Sequence, residues 1–176
     1  MIEGLSYIPD FVTDEEADKL IKFIDEQEWN NELTRRTQQY GYKYGYKTYK
    51  AEKTKPIPDI FDSLLKELPY KFDQCIINEY KNFDNKCDGI AAHTDHTKLF
   101  DKTIVSISLL EPTMMTFTKG NESHDILLEK NSLLILKGAA RYEWRHEISK
   151  NKTFIHNNVK YTKSRRVSVT FRKMIL

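Results

Sequence analysis

The chain has 176 residues, 39% of them hydrophobic, with 28 Lys and Arg against 26 Asp and Glu and a net charge of +2. That length suits a single domain over 1–176 whose core needs no disulfide or structural metal. Cys75 and Cys87 form no CxxC or framework pattern, no apolar run approaches the ~18 residues of a membrane span, and +2 is too small a charge to name a nucleic-acid partner by itself. The opening MIEGLSYIPD lacks the basic, then apolar, then small-residue order of a signal peptide, so the expected setting is reducing, cytoplasmic or nuclear.

The first predicted element is a short strand in GLSYI. Thr13 and Glu16 then form a capping box before Ala17, Leu20, Ile21 and Ile24 at helical spacing, which predicts a helix from Asp14 to Glu28. Residues 35–55, RRTQQYGYKYGYKTYKAEKTK, come next. Tyr40, Tyr42, Tyr44 and Tyr46 occupy alternate positions, so a continuous strand sets four phenol rings on one side and Gly41, Lys43, Gly45 and Lys47 on the other. Seven basic residues and one acid make this window +6, against +2 for the whole chain. Pro56 and Pro58 open a second amphipathic helix, IPDIFDSLLKEL, which Pro69 stops.

From Gln74 the period changes to two, in QCIINEY, KTIVSISLL, MMTFTK, HDILLE, SLLILKG, RYEWRHEI and RRVSVTFRKMI. Many short strands argue for a β-sandwich or barrel. The Lys- and Asn-rich stretch Ser149–Ser164 reads as a long loop, and loops of that length are mostly functional or mobile.

Two stretches carry chemistry. In AAHTDHT, His93 and Asp95 are two apart, so at a strand end both side chains point one way and can share a metal. Of the remaining histidines, His96, His124, His146 and His156, the natural third ligand is His146, which sits in the aromatic-rich strand RYEWRHEI. Two imidazoles and a carboxylate on one face of an ion form the facial triad of non-haem Fe(II) oxygenases, although HxD also suits an ordinary polar pair. In RRVSVTFRKM, Arg166, Ser168, Thr170 and Arg172 alternate with Val167, Val169 and Phe171. Two arginines turned into a barrel need an anionic partner, and a dicarboxylate answers both. Both must lean inward, or the strand must bend, because the strand separates their Cα atoms by ~20 Å.

The order INEY (77–80), GIAAHTD (89–95), RYEWRHEI (141–148) and RVSVTFR (166–172) resembles the AlkB family of Fe(II)- and 2-oxoglutarate-dependent dioxygenases, most closely its branch that hydroxylates wobble uridines in tRNA. The resemblance extends upstream to GLSYIPDFVTDEEADKLIKFID, similar to the family's first strand and helix, and to RRTQQYGYKY, similar to its nucleotide-recognition lid. It implies an α+β fold: a double-stranded β-helix (jelly-roll) over 74–176, with helices and lid over 1–73 packed on it. It implies Fe(II) held by His93, Asp95 and His146, with 2-oxoglutarate and O2 as cosubstrates. Arg166, Ser168 and Tyr80 are expected to take the distal carboxylate of 2-oxoglutarate, and Asn78 and Arg172 the carboxylate nearer the metal. Ser168 stands where some members carry Asn, and either side chain can donate.

The expected reaction is hydroxylation or oxidative demethylation of a nucleic-acid base, in RNA or tRNA ahead of DNA, by a monomer without a membrane partner. Arg35, Arg36, Tyr40, Tyr42, Lys43 and Tyr44 are the expected substrate contacts, the rings covering or stacking on an unpaired base while the cations follow the phosphates. Two rival readings are a protein side-chain hydroxylase, which has no need of a +6 tyrosine-rich strip, and a β-barrel binding module without catalysis, against which the complete ligand set speaks.

Overall fold

The computed structural model describes residues 2–45, 50–83 and 86–175. Strand β1 (Leu5–Ile8) leads into helix α1 (Asp14–Glu26), where the Thr13 side chain accepts from the Glu16 amide and the Glu16 carboxylate accepts from the Thr13 amide. Such a box is worth about 1 kcal/mol. The segment after α1 forms three short strands, β2 (Thr37–Tyr40), β3 (Tyr42–Tyr44) and β4 (Ala51–Lys53). A single 3-10 turn, Asp59–Phe61, runs into helix α2 (Asp62–Lys66). Strands β5 (Gln74–Tyr80), β6 (Asn82–Phe83), β7 (Lys86–Cys87), β8 (Ile90–His93), β9 (Phe100–Leu110), β10 (Thr113–Lys119), β11 (Glu122–Leu128) and β12 (Leu133–Leu136) follow. Helix α3 (Gly138–Tyr142) and strands β13 (Arg145–Ile148), β14 (Thr153–His156), β15 (Val159–Thr162) and β16 (Arg166–Met174) complete the chain.

The period-two runs form two antiparallel sheets, the jelly roll that the family resemblance implies. The larger has the order β1-β12-β9-β16-β5-β2, the smaller β11-β10-β13-β8. Strand β16 lies between β9 and β5, so both its edges are hydrogen-bonded, and most of its residues are buried. Its Val167, Val169 and Phe171 enter a core with Leu20 and Ile24 of α1 and with Phe61 and Leu64. Arg166, Ser168, Thr170 and Arg172 therefore point the other way, into the space between the sheets. Among the described residues no helix is long and apolar enough to cross a membrane.

Strands β1 and β2, from the N-terminal part of the chain, form the two edges of the larger sheet. Three expectations change. The tyrosine strip is not one strand: Gly41 has φ +73, and a Cβ there would lie 1.9 Å from the Asp73 carbonyl oxygen. Only glycine takes that conformation at that approach, so β2 and β3 join different sheets. Tyr46 and Lys47 lie outside the described residues. In RYEWRHEI, Arg141 and Tyr142 end α3, and only Arg145–Ile148 is strand. Ser149–Ser164 is a hairpin, turned by Asn157 and Asn158 at φ 48 and 63.

Candidate active site

His93 is the last residue of β8, and its cross-strand partner on β13 is His146. Pairing thus makes neighbours of two residues far apart in sequence, with ring centroids 4.4 Å apart. The His93 Nδ1 lies 2.8 Å from the Ala91 carbonyl oxygen. With the proton on Nδ1 donated there, the Nε2 lone pair is left for a ligand. Asp95 follows on the loop after β8, with Oδ1 3.9 Å from His93 Nε2 and 3.2 Å from Arg172 Nη1. Burial alone raises an acid's pKa, but Arg172 first, then the two histidines and Arg141, holds the Asp95 carboxyl below the usual range. Burial pushes His146 down to about 4, so its ring is neutral at pH 7, the form that binds a metal. Among the described residues no three His, Cys, Asp or Glu side chains are already closed around one point. Asp95 is shared between the histidines and Arg172.

The arginines of β16 stand at the two ends of a cavity of about 480 Å3 lined from both sheets. Arg166 donates from Nη2 to Ser108 Oγ at 2.8 Å and lies 5.3 Å from the Tyr80 ring centroid. Ser168 is flanked by Asn78 on β5 and Ser108 on β9. Arg172 donates from Nε to Gln74 Oε1 at 2.8 Å and lies over the Phe100 ring at 4.0 Å. Both guanidiniums are almost wholly buried, and Arg166 Nε, Arg166 Nη1 and Arg172 Nη2 have no hydrogen-bond acceptor. Buried charged donors without acceptors are costly in a finished structure. Three such donors flanking one cavity fit a dicarboxylate, as two imidazoles and a carboxylate fit Fe(II).

The expected lid residues divide. Arg35 and Tyr44 line the cavity, and Arg35 Nε donates to Asn78 Oδ1 at 2.9 Å. Tyr42 is half-buried and Lys43 is exposed. Arg36 instead forms a two-point ion pair with buried Glu79 and stacks on Trp29, so its charge is spent inside the molecule. Tyr40 is 7% exposed in the main core, where its hydroxyl donates to Gln38 Oε1. These two are not surface contacts for a substrate, because the strand break at Gly41 turns β2 into the sheet. His96 and Met115 also line the cavity.

The sequence reading missed Arg141, which is 2% exposed and donates to the backbone carbonyls of Asp95 (2.9 Å), His96 (3.2 Å) and Phe100 (3.0 Å). It pins the loop that carries Asp95. Its place in an apparently regular strand motif hid it, and no local spacing marks an arginine that serves carbonyls some 45 residues earlier.

The family model described as 2OG-Fe(II) oxygenase superfamily matches residues 26–172. An Arabidopsis thaliana protein named alkylated DNA repair protein ALKBH8 homolog is 32% identical across 98% of the chain, which spans 59% of that protein. The Mus musculus tRNA (carboxymethyluridine(34)-5-O)-methyltransferase ALKBH8 is 30% identical across 85% of the chain, which spans 24% of it. Among solved structures, that of OsALKBH1 superposes with a TM-score of 0.68 at 16% identity, covering 97% of this chain and 96% of that one, a likeness of fold.

Proposed function

The chain belongs to the 2OG-Fe(II) oxygenase superfamily and is an AlkB-like dioxygenase using Fe(II), 2-oxoglutarate and O2, and from that premise we propose that it oxidises a base of a nucleic acid, in RNA or tRNA ahead of DNA. One observation carries the reading: the +6 segment reaches the cavity, with Arg35 and Tyr44 in its wall and Lys43 exposed beside them. A tRNA-modifying relative named as such supports RNA; a relative named for DNA repair keeps DNA as the alternative.

In this proposal His93, Asp95 and His146 hold the iron. Arg166, Ser168 and Tyr80 take the distal carboxylate of 2-oxoglutarate, and Asn78 and Arg172 take the carboxylate beside the metal. Metal and cosubstrate together supply oxidation of a C–H bond coupled to conversion of 2-oxoglutarate and O2 to succinate and CO2. The protein's part is placement. The Arg166 fork and the Arg172 guanidinium fix the cosubstrate at both ends, Arg141 holds the Asp95 loop, and Ile104, Leu134 and Leu136 keep the cavity wall apolar. Arg35 is a third guanidinium in the cavity wall, held by Asn78, and in this proposal it serves the nucleic acid.

The test is mass spectrometry of nucleosides from tRNA, mRNA and DNA incubated with iron-loaded protein. A hydroxylated or demethylated nucleoside that depends on 2-oxoglutarate is expected. Oxidation of a protein or peptide with every nucleoside unchanged would overturn the proposal in favour of a protein hydroxylase.

A further inference from the structure

The β14–β15 hairpin takes no part in lining the cavity. Its stretch Ser149–Ser164 contains Lys150, Lys152, Lys160 and Lys163 and no Asp or Glu, in a chain of net charge +2. Phe154 and Tyr161 face each other across the two strands and stack, centroids 4.8 Å apart and planes within 3°. Neither ring enters the main apolar clusters, and near the tip Ile155 is 70% and Val159 53% exposed. A lone two-stranded hairpin is marginal in water, and this one spends its apolar side chains on solvent.

The root, by contrast, is anchored. Asn82 Nδ2 donates to the Lys163 carbonyl at 2.7 Å, and the Cys87 thiol donates to the Asn151 carbonyl at 3.5 Å, both from the neighbouring β6–β7 hairpin. The two ends of the hairpin continue into β13, which carries His146, and β16, which begins with Arg166. Its position relative to the cavity is therefore set by the strands of the site. Alternation places Ile155 and Lys160, which are cross-strand partners, on one face and the stacked rings on the other.

We propose that β14–β15 is a docking arm for single-stranded RNA, separate from the Arg35–Lys55 segment, with Lys150, Lys152 and Lys160 on the phosphates and Ile155 against a base or sugar. The choice of a polyanion follows from charge: the arm exposes Lys150, Lys152 and Lys160, Lys163 being turned onto the Ser149 carbonyl, and it has no carboxylate, so nothing on it answers a basic partner. The choice of RNA rests on the nucleic-acid function proposed above. Bases flanking the oxidised one need a surface beyond the cavity, and exposed apolar side chains between lysines supply one tolerant of sequence.

The experiment is fluorescence anisotropy of a labelled single-stranded RNA with the full chain across a sodium chloride series. The wild type is compared with a triple variant, Lys150→Gln, Lys152→Gln and Lys160→Gln, and with Ile155→Ser. The triple variant is expected to bind on the order of tenfold more weakly at low salt, with a log–log salt slope shallower by roughly 0.7 for each phosphate that is no longer neutralised. Ile155→Ser is expected to weaken binding and leave the slope alone. Turnover of 2-oxoglutarate without nucleic acid is expected to be the same in all three proteins. If the wild type binds RNA and the triple variant is indistinguishable from it, the arm is overturned while the nucleic-acid function stands. If the wild type binds no RNA at any salt and oxidises no nucleoside, both fall. Tighter binding of the same-sequence DNA, or of an acidic peptide, overturns the assignment to RNA.

Discussion

Arg166 lies at the start of β16 with two guanidinium nitrogens lacking acceptors, and burial lowers its pKa against a weaker opposing pull from Tyr80. A buried cation in that state is an anion site. Arg166→Lys keeps the charge but loses the two-point fork, so the apparent affinity for 2-oxoglutarate should fall by about 1.5–3 kcal/mol with iron binding nearly unchanged. Titration of the cosubstrate in a succinate assay checks this, and an unchanged dependence would leave Arg166 an ordinary strand residue. Arg141 makes the opposite prediction. Arg141→Leu strands four backbone carbonyls, those of Asp95, His96, Phe100 and Asp101. It should cost about 2–4 kcal/mol of stability and lower iron affinity more than 2-oxoglutarate affinity. Thermal melts and iron stoichiometry measure both. Equal loss of the two affinities would mean that Arg141 supports the fold at large and not that loop.

The segment from Arg35 to Lys55 shows how one residue divides an element. A regular strand would carry its rings on one face, but the positive φ of Gly41 sends Tyr40 into the core and Tyr44 toward His96 and Phe100 in the cavity wall. Tyr40→Ala should therefore destabilise the protein by about 3–5 kcal/mol, the cost of an aromatic-sized void. Tyr42→Ala should leave the melting temperature nearly unchanged and weaken oligonucleotide binding by about 1–3 kcal/mol where the ring stacks on a base. Equal melting losses in both variants would return Tyr42 to the core. Periodicity revealed this element and hid its break, because a glycine's φ is set by what approaches it. Here that is the Asp73 carbonyl, more than thirty residues further along. The Ser149–Ser164 hairpin was unreadable for a related reason: its strands lack a buried face, so they carry no clean alternation of apolar and polar residues.

At the scale of the molecule, Glu79 ties the parts together. It is fully buried in β5 and receives Arg36 from before β2, Arg165 from before β16, and Lys81, while Arg165 also donates to Asp25 of α1. Burial alone would raise the Glu79 carboxyl, but hydrogen bonds from Arg36, Arg165 and Lys81 hold it below its ordinary 4.5. The native carboxyl thus binds a proton less readily than the unfolded one. Its contribution is complete above about pH 4.5 and is lost as pH falls through the lowered native value. Glu79→Gln should cost about 1–3 kcal/mol at neutral pH and flatten the decline in melting temperature on acidification. A variant that melts like the wild type at both neutral and acid pH would remove Glu79 from this role.

The sequence by itself determined the strand runs of the sheets, the capping box at Thr13, the two-apart pair His93 and Asp95, and the alternation that turns Arg166, Ser168 and Arg172 to one side. Each depends on neighbours within a few residues, through the periods of strand and helix or the reach of a capping side chain. Tertiary structure alone decided that His146 stands across from His93, that β1 and β2 close the larger sheet, that Arg36 belongs to Glu79, and that Arg141 holds the Asp95 loop. Those pairings join residues roughly 40 to more than 120 apart. Their partners are selected by burial and by the need to satisfy every charge that burial removes from water, which no local pattern records.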